Sequence, residues 1–312
     1  MQTLPTPDVS ILVVAFNSTE YIEDCLHGIA EGAGKTPHEV LLIDNGDGRT
    51  EALVRERFHR VRIVPSEGNI GFGAGNNRLA AQAAAPRLLL VNPDAIPQPG
   101  AIDQLVAFAK QHPEAAAWGG RSYSPSGNLE PANFMSLPSP ADFVTAIFNA
   151  RSLRSGGLHE HATAPGPVDV LNGGFMMVRA DVWRAIGGFD ESFFLYSEEI
   201  DLFQRIRALG HTVLVHPEVK VVHNTGSGQS MSQSRLMYLT TGRMHYARKH
   251  FGAVGTFTTG CALWLIAAKY TLIGAALGRL APRTGTRYKE LSTGWSAVFS
   301  NPGRWWSGYQ RH

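Results

Sequence analysis

A chain of 312 residues, 44% hydrophobic and 17% charged, has enough apolar content to bury a full core, which excludes intrinsic disorder and allows one large domain or one domain with an appendage. Its net charge of +2 hides an asymmetry, because residues 243–312 hold ten Lys/Arg against the single acid Glu290, a net +9, and the remainder is −7. Two distant cysteines, Cys25 and Cys261, fit a reducing compartment and argue against cysteine-bound zinc, and no basic patch followed by an apolar stretch opens the chain, so the cytoplasm is the expected compartment.

Residues 9–16 form a continuous apolar run of strand length, closed by Asn17-Ser18-Thr19, a trio able to cap the helical pattern over 20–30. The unit repeats. Residues 39–43 end in Asp44-Asn45, a helical stretch covers 50–58, 61–64 make a third short strand, and 87–91 a fourth ending in Asn92-Pro93-Asp94. Uninterrupted apolar strands alternating with helices imply strands buried on both faces, hence a mainly parallel sheet in an α/β layered fold. Ligands bind such sheets beyond the carboxyl ends of the strands, where Asn17, Asp44 and Asp94 fall. Between the third and fourth strands, GNIGFGAGNN (68–77) reads as a glycine-rich loop feeding a helical run over 78–85, where backbone can approach a ligand closely. Asn76 stands where the last glycine of a dinucleotide fingerprint belongs, and there is no Walker lysine; a plain glycine-rich turn is the alternative.

Residues 123–167 are rich in Ser, Pro, Gly and Asn, with one apolar patch near 143–148, and read as a long connection or flap. A glycine-interrupted apolar run follows at 168–178, then a short helix over 180–185 and the segment GGFDESFFLYSEEID (187–201). There Glu198, Glu199 and Asp201 crowd directly behind Phe193-Phe194-Leu195-Tyr196. Mutually repelling carboxylates beside aromatic surface acquire a raised pKa, bind a cation or accept a substrate proton, so this is the place for a catalytic base. A helix over 199–208 stops at Gly210, and short strands at 213–215 and 219–222 lead to His223 and Asn224-Thr225-Gly226-Ser227-Gly228.

Asp94, in a turn fixed by Pro93, can hold Mg²⁺ or Mn²⁺ through one oxygen while phosphate oxygens take the open positions; an ordinary turn is the alternative. A lone histidine at a strand end is usually structural, but His223 becomes a metal ligand if Asp94 converges on it. A helical pattern fills 234–250. Residues 253–280 are apolar apart from Lys269, Arg279 and a few threonines, long enough to cross a bilayer. A span, an interfacial helix with Arg279, Arg283 and Arg287 on phosphates, and a soluble helical cap all fit that pattern. The basic half favours anionic lipid headgroups over nucleic acid, with a solvated tail as the plain alternative.

Taken in order, SILVVAFNS, LLIDNGD, GNIGFGAGNN, LLLVNPDA, LNGGFMMVRADVWRAIGGFDESFFLYSEEIDLFQRIRALG and the His223 segment resemble glycosyltransferase family two, the inverting nucleotide-sugar transferases of GT-A fold, over residues 8–250, and look most like their rhamnosyltransferase branch. The resemblance implies a GT-A catalytic domain over 1–242 and a C-terminal helical, apolar and basic membrane-associating region over 243–312. Ala15, Phe16 and Asn17 would border the nucleotide, Asp44 would bond its pyrimidine, Asn69 and Gly71 would back nucleotide and sugar, and Gly173-Gly174 would leave room for the acceptor. Asp94 and His223 would hold the cation against the diphosphate, with Asn92 replacing the family's first aspartate. Glu199 stands where the family has the Asp of a Glu-Asp pair and would be the general base, with Glu198 the competing choice and Asp201 and Arg205 as supports. The implied reaction moves L-rhamnose from a dTDP donor, with inversion, to a glycan hydroxyl such as that of a polyprenyl-linked glycan, at the inner face of the membrane. The rival reading, motivated by Asn92 and Glu199, is a degenerate nucleotide-sugar-binding scaffold; a dinucleotide oxidoreductase fails on glycine spacing.

Overall fold

The structure, a computed structural model, describes residues 6–130, 133–149, 164–224, 232–280 and 285–310. In chain order the elements are β1 (Val9–Ala15), α1 (Ile22–Gly32), β2 (His38–Asp44), α2 (Arg49–Arg57), β3 (Val61–Ile63), α3 (Phe72–Ala80), β4 (Arg87–Val91), β5 (Ala95–Pro97), α4 (Ala101–Gln111), β6 (Ala115–Tyr123) and β7 (Phe134–Met135). There follow α5 (Pro140–Phe148), β8 (Gly166–Pro167), β9 (Val170–Leu171), β10 (Phe175–Arg179), α6 (Ala180–Ile186), α7 (Glu198–Ala208), β11 (Thr212–His223), α8 (Gln233–His250), α9 (Gly252–Leu280) and α10 (Gly285–Ser300). They form two compact units, one of Met1–Ser136, Gly156–Glu191 and Asp201–Ser227, the other of Leu137–Ser155, Ser192–Ile200 and Gly228–His312.

The first unit is built on a sheet of order β3-β2-β1-β4-β10-β6-β11-β5, with β8 on β11. Every residue of β1 is buried, which is why its sequence is apolar without alternation apart from Ser10, whose hydroxyl bonds Glu39 and the Ala85 amide. Val9, Ile11 and Val13 point into a core shared with Ile22, Cys25 and Ile29 of α1 and Leu105 and Phe108 of α4. On the alternate set, Val14 meets Gly75 of α3, where an added Cβ would lie 3.0 Å from a Val14 methyl. Helices thus cover both faces, the expected α/β layering. The block β3-β2-β1-β4 is parallel throughout, and β6 runs parallel to β11. Between these blocks β10 is antiparallel to both β4 and β6, a mixed pairing that apolar runs alone do not reveal.

Register positions the site. Ala15 pairs with Asp44, so β1 and β2 end level and the residues after them come together. Asn92 N–H donates to the Gly174 carbonyl at 2.9 Å, and His223 pairs with Ala95, so three further segments meet at the ends of β4 and β11.

Several local expectations are corrected. The helix after the glycine-rich segment is α3 at Phe72–Ala80, not 78–85, because Gly73 and Gly75 are helical residues whose missing side chains admit Phe189 and Val14. The Asn17-Ser18-Thr19 trio does not cap α1 through a side chain; the Ser18 carbonyl receives the Tyr21 and Ile22 amides instead. The two strands expected at 213–215 and 219–222 are one strand, β11, with a register shift between Val215 and Lys220, where Pro217 lacks an amide to donate. Within the supposed connection 123–167 lies α5, started by a capping box in which Ser139 and Asp142 exchange side-chain and backbone bonds. Residues 150–163 of that stretch, Thr225, Gly226, Ser227 and Gly228, and Arg283 fall outside the described residues, as does the side chain of Arg287.

In the second unit α5, α8, α9 and α10 share a core of Phe143, Leu236, Met244, Leu263, Val298 and Trp305. By length and composition Gly252–Arg279 suffices to cross a membrane, with mean hydropathy 1.6. Lys269 ends 2.8 Å from the Ile147 carbonyl, a cation on the last turn of α5. The side of α9 away from this core exposes Val254, Phe257, Trp264, Leu265, Leu272 and Ile273.

Candidate active site

At the level ends of β1 and β2, Asn17 takes a left-handed conformation (φ 52°), which asparagine tolerates, and its Oδ1 accepts the Asp47 amide at 3.3 Å. Asp44 is buried. Its two oxygens accept the Gly46 amide at 2.8 Å and the Glu51 amide at 3.0 Å, the latter in the first turn of α2, leaving one lone pair on each for a ligand. Asn45 reaches across to the Gly71 carbonyl at 3.0 Å, and Gly71, at φ 88°, receives the Asn69 side chain on its amide. Ala15 is buried, and Phe16 beside it is 55% exposed although aromatic. Six of the expected residues, Ala15, Phe16, Asn17, Asp44, Asn69 and Gly71, are therefore carried by one linked set of loops.

The turn Asn92-Pro93-Asp94 closes with the Ala95 amide on the Asn92 carbonyl at 3.0 Å. His223, at the end of β11, places Nε2 3.1 Å from Asp94 Oδ1 and Nδ1 2.9 Å from Glu130 Oε2. Burial alone would depress this imidazole, but the hydrogen bonds to Asp94 and Glu130 overcome it and push its pKa up to about 9. A Cβ at Gly174 would lie 3.1 Å from Asn92 Nδ2 and 3.4 Å from His223 Cε1, so Gly174 adjoins the same group, with half-buried Gly173 beside it. Cys25 gives its thiol to the Asn92 carbonyl, and burial with the Asp94 charge raises its pKa, an inert thiol.

Among the described residues no group of three or more His, Cys, Asp or Glu side chains is arranged to hold a metal ion. The pair Asp94 and His223 nonetheless has the chemistry of a partial site: Asp94 offers a carboxylate oxygen, and His223 would offer Nε2 on giving up the proton that its raised pKa retains, with Glu130 on the far ring nitrogen as the partner that fixes ring orientation.

In the second unit, Tyr196 (φ 66°) and Ser197 (φ 70°) are consecutive left-handed residues with side chains, a strain on the order of 1–3 kcal/mol each. Directly after them α7 begins with Glu198 and Glu199, two carboxyl groups at a helix N-terminus. Glu198 is 5% exposed and its Oε2 has no hydrogen-bond partner among the described residues. Burial and the neighbouring Glu199 raise its pKa well above the carboxylate range. Glu199 is half-buried; burial raises it too, and the backbone amides of Glu199 and Ser197 oppose that. Asp201, in the first unit, is fully buried and bonded by Arg205 Nε at 2.8 Å, while Arg205 also reaches the Ile186 carbonyl at the end of α6, the arrangement of a support.

Glu198 binds its proton more tightly folded than unfolded. The fold is thus favoured below the ordinary carboxylate pKa and loses that advantage as pH rises through the raised value, at about 1.4 kcal/mol per pH unit between the two. Glu198→Gln, permanently neutral, is expected to melt above the wild type at neutral pH and to converge with it near about pH 4, where both are uncharged, by scanning calorimetry.

Comparison with known proteins decides the family. The chain matches the family described as "Glycosyltransferase like family 2" over residues 6–265. It belongs to glycosyltransferase family 2. Among curated relatives, this family 2 transferase is 30% identical over 238 residues to the N-acetylglucosaminyl-diphospho-decaprenol L-rhamnosyltransferase of Mycobacterium tuberculosis, covering 70% of this chain and 76% of the relative. It is 22% identical over 225 residues to rhamnosyltransferase WbbL of Escherichia coli, covering 69% and 83%. A mannosyltransferase from Pyrobaculum calidifontis, solved with GDP-Man and Mn²⁺, shares the fold at TM-score 0.56 and 17% identity, covering 94% of this chain and 85% of its own.

One residue of this glycosyltransferase escaped the sequence reading. Glu130 sits in what reads as a featureless connection, yet its amide bonds the Ser122 carbonyl at 3.0 Å and Asn133 clasps both Ser122 and the Glu130 carbonyl. The available signal was charge: Glu130 is the only charged residue between Arg121 and Asp142.

Proposed function

We propose that this glycosyltransferase moves L-rhamnose from a dTDP donor to a hydroxyl of a polyprenyl diphosphate-linked glycan, with inversion at the anomeric carbon. The observation that carries the reading is the convergence, at the carboxyl ends of β4 and β11, of Asp94, His223 and Glu130 next to Gly174 and Asn92. The mycobacterial rhamnosyltransferase, whose acceptor is named as lipid-linked, supports the choice of sugar and acceptor. Exposed Phe16 offers a face for the base to stack on, Asp44 retains acceptor capacity for its edge, and Asn69 and Gly71 back the nucleotide. Gly173 and Gly174 leave space on the acceptor side.

Asp94 and His223 would hold Mg²⁺ or Mn²⁺, which when bound neutralises the diphosphate as it leaves. Glu130 keeps the His223 ring oriented from its other nitrogen. Glu199 takes the proton of the acceptor hydroxyl, making that oxygen a competent nucleophile. It is preferred to Glu198 because Glu198 is the more buried, and burial together with the neighbouring Glu199 raises its pKa the further from the carboxylate range. Glu130→Gln, which keeps shape and removes charge, is expected to weaken Mn²⁺ binding by about 10–100-fold, read by isothermal titration calorimetry.

Residues 1–242 form the catalytic domain in this reading and 243–312 the region that lies on the inner membrane face. The exposed apolar side of α9, with exposed Arg279 and a regional net charge of +9, suits an interfacial position on anionic lipid. The deciding assay is transfer of radiolabelled rhamnose from dTDP-rhamnose to a polyprenyl diphosphate-linked N-acetylglucosamine, with UDP- and GDP-sugars as competitors. Rhamnosylated lipid formed only with Mg²⁺ or Mn²⁺ bears the proposal out; transfer of another sugar, or none, refutes it.

A further inference from the structure

The segment 192–199, which ends in the candidate base, is gripped by α8 and by the residues after α10, all within the second unit. Ser192 Oγ lies 2.8 Å from His245 Nε2, and the Phe193 ring meets the His245 ring edge-on at 4.5 Å. Gly242 of α8 lies so close to the strained turn that a Cβ there would be 2.3 Å from the Tyr196 carbonyl oxygen. At the preceding residue, the Tyr309 hydroxyl donates to the Leu195 carbonyl and lies 3.1 Å from the Tyr238 carbonyl of α8.

Tyr309 reaches that place by a short chain of constraints. Trp305 is fully buried in the helical core, with its indole N–H on the Val298 carbonyl at 2.8 Å. Gly308 then turns the backbone at φ 71°, against His245, where a Cβ would lie 2.9 Å from the His245 Cα. A side chain there would be both strained and obstructed, so glycine is required for the turn that delivers Tyr309.

We propose that Tyr309 is a positioning residue for the transfer reaction: its hydroxyl fixes the Leu195 carbonyl, and with it the left-handed Tyr196-Ser197 pair that presents Glu198 and Glu199 at the start of α7. The inference rests on the reading of Glu199 as the base. Two adjacent left-handed residues relax to ordinary backbone unless the surroundings over-determine them. Orienting the peptide that precedes Tyr196 removes the rotation through which they would relax. Gly242 leaves the Tyr196 carbonyl no room to swing toward α8, and the Tyr309 hydroxyl holds the carbonyl before it.

The test is Tyr309→Phe in the full chain, which keeps the ring against His245 and removes only the bond. Its kcat is expected to fall about tenfold, the scale of one lost hydrogen bond, with donor KM within about twofold and melting temperature nearly unchanged. Hydrogen exchange at the amides of Tyr196, Ser197, Glu198 and Glu199 should quicken while α9 and α10 stay protected. Gly242→Ala, pressing on the same turn from α8, should repeat both effects. Unchanged kcat with unchanged local exchange overturns the inference. So does a joint change of kcat, KM and melting temperature with exchange quickened throughout the unit, because that marks a general structural role. If the wild type transfers no sugar, the reading of the reaction falls, and the exchange comparison still decides the clamp. Should Tyr309→Phe fail to fold, wild-type exchange decides: protection at Tyr196 and Ser197 comparable to α8 upholds the proposal, and exchange at the rate of an open loop refutes it.

Discussion

Glu199→Gln is expected to lower turnover by about 10²–10⁴-fold, the range that a positioned general base supplies, while donor binding stays within a few-fold of the wild type. The amide matches the carboxylate in size but takes no proton, so the acceptor hydroxyl remains a poor nucleophile. Donor binding is assigned to other residues, Phe16, Asp44, Asn69, Gly71, Asp94 and His223, and need not change. Steady-state kinetics read the first effect and calorimetric titration with the donor the second. Lost donor binding in this variant would contradict the assignment, and so would retained turnover. Glu198→Gln in the same assay separates the two neighbours, because a buried residue that is not the base keeps its shape as the amide and should cost turnover far less than Glu199→Gln.

Much of this was legible in the sequence where the physics is local. The central residues of β1, β2 and β4 are buried on both faces, so their composition had to be mainly apolar, and the polar residues that end or follow them mark the ligand edge of the sheet. Asp94 and His223 could be named, and even paired, because each closes an apolar strand. Other features were hidden because distant parts of the chain create them. The glycines of α3 oppose helix by propensity, and only the proximity of Phe189 and Val14 explains why they are helical. Nothing local announces that β10 runs antiparallel between two parallel blocks, since a buried strand reads the same in either direction. The capping box at Ser139 was a readable signal, masked by the surrounding prolines and serines. Glu130 and Tyr309 lie outside any periodic pattern, and their value comes from partners 93 and 114 residues away.

Asp94→Asn is the second variant with a large expected effect, because this chain has no reserve of charge at that turn. Asn92 is already neutral, and Pro93 offers no side-chain donor, so the substitution leaves Asn92-Pro93-Asn without a carboxylate. Glu130 does not substitute, since it is committed to Nδ1 of His223, the nitrogen opposite Asp94. A cation facing the remaining imidazole and the donor diphosphate loses its one anionic protein ligand. The expected loss of Mn²⁺-stimulated donor binding therefore exceeds the roughly 10–100-fold that removing a supporting partner such as Glu130 costs. Folding should survive, because Asp94 joins β11 through its backbone carbonyl, which accepts the Asn224 amide at 2.8 Å whatever the side chain. The measurement is donor titration with Mn²⁺ and with a chelator, in wild type and variant, beside a melting curve of each. Mn²⁺ strengthening donor binding equally in both proteins would place the cation elsewhere; a variant whose binding equals that of chelated wild type would place it at Asp94.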